Sequence, residues 1–67
     1  MKKIHDNLQN QLEKLQSEIE KRQDIFDNRS ERWQESEKGE EYQEKTDEFD
    51  RIAEDLEELI NALFEQL

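Results

Sequence analysis

The chain has 67 residues, no Cys, no Pro, one Gly and one His, with 45% charged residues against 30% apolar and a net charge of −10. One small domain is the most that such a length supports, and the composition excludes a disulfide scaffold and a Cys/His zinc site. Nowhere do five apolar residues follow one another, so signal peptide and membrane span are excluded and a soluble, cytoplasmic protein is expected.

The first element is predicted as a helix over about 2–36. Met1, Leu8, Leu12, Leu15, Ile19, Phe26 and Trp33 recur at spacings of seven, four and three, the heptad pattern of a coiled-coil seam. Arg22 and Arg29 occupy seam positions in the same phase, where they are expected to snorkel past small partners to outer acids such as Asp47, Asp50 or Glu54. A competing reading takes Asn28 or Ser30 as a cap that breaks this helix before the tryptophan; the common phase of Phe26 and Trp33 favours the unbroken helix.

A turn is expected over about 37–39. Gly39 suits the left-handed conformation that ends many helices, and Lys38 places a cation beside the last carbonyls. Ser36 could alternatively cap a second helix that begins at Glu37.

The second helix is predicted over about 40–66. Tyr42, Phe49, Leu56 and Leu63 fall seven apart, with Thr46, Ala53, Ile60 and Leu67 each four further on. Antiparallel seams pair residues whose numbers sum to a constant, and a constant of 75 matches size layer by layer. It joins Leu8 to Leu67, Leu12 to Leu63, Leu15 to Ile60, Ile19 to Leu56, Phe26 to Phe49 and Trp33 to Tyr42. Arg22 and Arg29 then face the small Ala53 and Thr46, and Ser36 meets Gly39 beside the turn. The fold class is therefore all-α: an antiparallel, coiled-coil-like two-helix hairpin forming a single domain over 1–67.

Apolar residues outside the seam are Ile4, Ile25, Ile52 and Leu59 at heptad position g and Phe64 at e. In an antiparallel hairpin the g positions of both helices line one flank, so Ile4, Ile25, Ile52 and Leu59 form an apolar patch that invites a homodimer, completing a four-helix bundle. Residues 36–67 carry three cations against twelve acids. Glu44, Glu48, Asp55 and Glu58 form acidic rows along the second helix; they read as a solvated face or as a docking face for a basic protein partner.

Catalytic chemistry finds no support. His5, beside Asp6 in the first turn, reads as a surface residue, and there is no phosphate-cradling loop, no Cys nucleophile and no metal-ligand spacing. A two-helix hairpin offers no concave pocket, no cofactor is implied, and pI 4.4 opposes direct nucleic-acid binding. The expected function is non-enzymatic protein binding. The alternative is an inhibitor whose acidic second helix imitates nucleic acid and blocks a nucleic-acid-binding protein.

The stretch "RSERWQESEKGEEYQ", through Ser30, Trp33, Gln34, Ser36, Gly39 and Tyr42, resembles small uncharacterised helical proteins of bacteria, plasmids and phages. That resemblance implies a helical hairpin of bacterial or mobile-element origin and carries no activity with it.

Overall fold

A computed structural model describes the whole chain, Met1 to Leu67, as helices with no strand. Three helices follow one another: α1 (Lys2–Asp27), α2 (Glu31–Gln34) and α3 (Glu37–Glu65). The long helices α1 and α3 pack side by side in an elongated molecule of 50 × 15 × 11 Å.

The first helix therefore stops at Asp27, nine residues before the expected end, and the cap reading is the one that holds. Asn28 closes α1 in a right-handed conformation, and Ser30 then turns extended (φ −64°, ψ 152°). The Ser30 hydroxyl accepts a hydrogen bond from the Trp33 backbone N–H at 3.2 Å, which satisfies a donor that a continuing helix would have used otherwise. Gln34 completes the break. Its side-chain amide donates to the Phe26 carbonyl at 2.8 Å and the Arg29 carbonyl at 3.1 Å, so Phe26, which already accepts the Arg29 N–H, gains a second donor and the Arg29 carbonyl is paired within the loop.

The chain reversal thus occupies residues 28–36, and residues 37–39 are helical. Ser36 is the N-cap of α3: its hydroxyl accepts from the Gly39 N–H at 3.2 Å and donates to the Trp33 carbonyl. Glu37 and Glu40 stand in the first turn, where a helix favours negative charge. Gly39 is not a left-handed cap, since no residue of the chain has positive φ. Its role is steric. A Cβ at this position would lie 2.1 Å from the Trp33 carbonyl oxygen and 2.7 Å from that of Gln34.

The longer reversal slides α3 by one heptad against the expected register. Partner numbers sum to 68 for Arg22 with Thr46, to 66 for Gln23 with Gln43 and to 69 for His5 with Phe64, not to 75. A seven-residue slip keeps every seam residue in the seam and changes only its partner. Leu12, Ala53 and Ile60 form the buried core, with Leu8, Leu15, Ile19 and Leu56 packed against it. Leu67 lies beyond the end of α3 and is 54% exposed, because in this register it stands level with Met1 instead of Leu8.

Candidate interaction surface

Buried and half-buried residues alternate along the seam. Leu12 and Ile60 are fully buried, whereas Leu8, Leu15, Ile19, Phe26, Trp33, Tyr42, Phe49, Leu56 and Leu63 are half-buried. Two helices can cover only one side of each seam residue, which is why the buried list is so short.

At the turn end three rings interlock. Trp33 meets Phe26 with ring centroids 5.9 Å apart and Tyr42 at 5.7 Å, both edge-on, the arrangement that aromatic quadrupoles favour. The expected Trp33–Tyr42 contact is present, but Trp33 reaches it from α2, folded back over the end of the hairpin, and not as the last rung of α1. Arg29, expected in the seam opposite Thr46, is exposed and lies 4.3 Å over the Trp33 ring.

Arg22 also departs from expectation. It does not reach outward to an acid. Its Nε–H donates to Thr46 Oγ1 at 3.0 Å, its Nη2 donates to the Tyr42 carbonyl at 3.2 Å, and its guanidinium covers the Tyr42 ring at 4.0 Å and the Phe49 ring at 5.2 Å. The slipped register puts buried Thr46 opposite it, a hydroxyl acceptor where Ala53 would offer none.

His5 is a seam residue that the sequence reading placed on the surface. Its side chain is 16% exposed, its ring lies 5.3 Å from that of Phe64, and Nδ1 is 3.3 Å from Asp6 Oδ1. The signal was available in its phase, since His5 falls seven residues before Leu12. Gln34 is a second structural residue, without a sequence signal. Nothing in its local pattern points to carbonyls five and eight positions upstream.

The flank residues Ile4, Ile25, Ile52 and Leu59 are each at least half exposed, between 50% and 68%. In the observed register Ile52 stands level with residue 16 of α1 and Leu59 with residue 9, so the four make a row along the hairpin between the levels of Ile4 and Ile25. Glu44, Glu48, Asp55 and Glu58 are all exposed on α3. None has a cation within 4 Å; the contacts that close are His5 with Asp6 and Lys21 with Glu18. A hollow of about 280 Å³, which a bare hairpin was not expected to have, lies at the turn end between Phe26, Gln34, Glu40, Gln43, Glu44 and Asp47. Gln43 Oε1 is buried without a partner, while the Gln43 amide donates to Gln23 Oε1 at 3.2 Å and Asp47 Oδ1 at 3.0 Å. No helix is long and apolar enough to cross a membrane. No protein-family model, curated protein or solved structure matches this chain.

Proposed function

We propose that this chain is a non-enzymatic protein-binding module whose docking surface is the flank bearing Ile4, Ile25, Ile52 and Leu59. One observation carries the reading. Three apolar residues make up the whole core, yet seven large apolar side chains remain at least half exposed, four of them in one row. Leaving such a row in water forgoes burial worth about 25 cal/mol per Å² of apolar surface, so a partner that covers it gains what the hairpin alone does not.

A photo-crosslinking residue at position 52 or 59 tests this directly, with the same group at 44 or 58 as comparison. Protein adducts confined to 52 and 59 and retained at high salt are expected. Adducts confined to 44 and 58 that vanish as salt rises would transfer the function to the acidic face.

The second reading is the inhibitor that presents α3 to a nucleic-acid-binding protein. It is favoured by the unpaired state of Glu44, Glu48, Asp55 and Glu58, whose charges remain free to act on a basic surface.

A further inference from the structure

We infer that the occupant of the apolar flank is a second copy of this chain, and that the two hairpins associate about a two-fold axis parallel to their length. Lys14 and Lys21 of each copy then face Asp55 and Glu48 of the other. The inference rests on the docking-flank reading and names its partner.

Surface area gives the first argument. A compact monomer of this mass exposes about 4,500 Å² by the usual scaling, whereas this chain exposes 5569 Å². The surplus of roughly 1,000 Å² resembles the ~800 Å² that each partner contributes to a standard interface.

Charge selects the flank and the partner. Beside the g row run the c positions, which include the basic Lys14 and Lys21 on α1 and the acidic Glu48 and Asp55 on α3. All four are exposed, and Lys21 reaches only Glu18, its neighbour at g, at 3.3 Å. The flank is thus basic along one helix and acidic along the other, the self-complementary pattern that an isologous two-fold interface requires. Its own g positions add one charge of each sign, Glu18 and Lys45. The opposite flank has no such pattern. Its bordering b positions carry Asp6, Glu13, Glu20 and Asp27 on α1 and Glu40, Asp47 and Glu54 on α3, so two copies meeting there would set acid against acid.

Register then fixes the orientation. With Arg22 opposite Thr46, Asp55 stands level with residue 13 of α1 and Glu48 with residue 20. A two-fold axis along the hairpin keeps every level and lays α1 of one copy antiparallel against α3 of the other. Lys14 then falls within one residue of the level of Asp55 in the second copy, and Lys21 within one of Glu48, an axial offset of about 1.5 Å in each case. A two-fold axis across the hairpin would instead lay α1 on α1, with lysines and acids each facing their own kind.

The test uses the full chain in two charge-reversed forms: Lys14→Glu with Lys21→Glu, and Glu48→Lys with Asp55→Lys. Sedimentation equilibrium should find a wild-type dimer and dimerisation at least about tenfold weaker in each variant, since like charges then meet across both rims. Mixed one to one, the variants should form a heterodimer of wild-type affinity, because each rim then faces its opposite. Rescue in the mixture also shows that neither variant failed by misfolding. A monomeric wild type overturns the inference and leaves the docking flank to the crosslinking result. Variants that dimerise like the wild type, or a mixture that remains monomeric, also overturn it. If Ile52→Lys with Leu59→Lys leaves a wild-type dimer intact, the docking flank falls as well.

Discussion

Gly39 lies so close to the carbonyl oxygen of Trp33 that a Cβ on it would sit 2.1 Å away. That approach is what lets the first turn of α3 tuck beneath α2 and lets the Ser36 hydroxyl bridge the two elements. In an ordinary helix interior Ala is preferred to Gly by about 1 kcal/mol. Here the sign reverses. Gly39→Ala should lower the urea midpoint by an amount equivalent to about 1–3 kcal/mol, as overpacking against backbone does. A variant as stable as the wild type would show that the turn relaxes freely.

The polar layer at Arg22 predicts a penalty for lysine. One ammonium cannot reproduce two hydrogen bonds in a planar fork together with stacking on Tyr42 and Phe49. Arg22→Lys is expected to cost about 1–2 kcal/mol in chemical denaturation. A double-mutant cycle with Thr46→Val should give a coupling of about 1 kcal/mol. Zero coupling would mean that Thr46 serves Arg22 only as a small neighbour.

Gln34 predicts a pH-dependent variant. Gln34→Glu replaces a donor by a carboxylate that faces the Phe26 and Arg29 carbonyls at the negative end of α1. Acceptors facing the charged form raise its folded pKa above the unfolded value of about 4.3. The raised pKa makes the deficit relative to wild type smallest below pH 4 and growing as pH rises through the folded pKa. Thermal melts of the two proteins side by side measure it; a deficit independent of pH would count against the cap.

Net charge predicts a response to salt. With −10 on a small chain and few ion pairs closed, repulsion between carboxylates opposes the compact state. Raising ionic strength from about 0.01 M to 0.15 M shortens the screening length from about 30 to 8 Å. The midpoint of thermal unfolding followed by circular dichroism should therefore rise with salt. A midpoint that falls would mean that attractive pairs outweigh the repulsion.

Much of this molecule is legible in the chain itself. The spacing of Leu8, Leu12, Leu15 and Ile19, and of Phe49, Leu56 and Leu63, dictates two amphipathic helices because only a helix brings those residues to one side. Ser30 and Ser36 are written as caps, although heptad phase concealed the first: Phe26 and Trp33 are seven apart and do touch, but through a fold-back. The flank of Ile4, Ile25, Ile52 and Leu59 is likewise given by phase alone.

What the tertiary structure decided was which heptad meets which. A seam repeats every seven residues, so registers of 75 and 68 bury the same residue types, and periodicity cannot choose between them. The choice was made at the turn, where the Gln34 amide, the Ser36 hydroxyl and the bare backbone of Gly39 fix how much chain the reversal consumes. These contacts join residues that share no helical face, so their consequence, Thr46 and not Ala53 opposite Arg22, appears only when the chain has closed on itself.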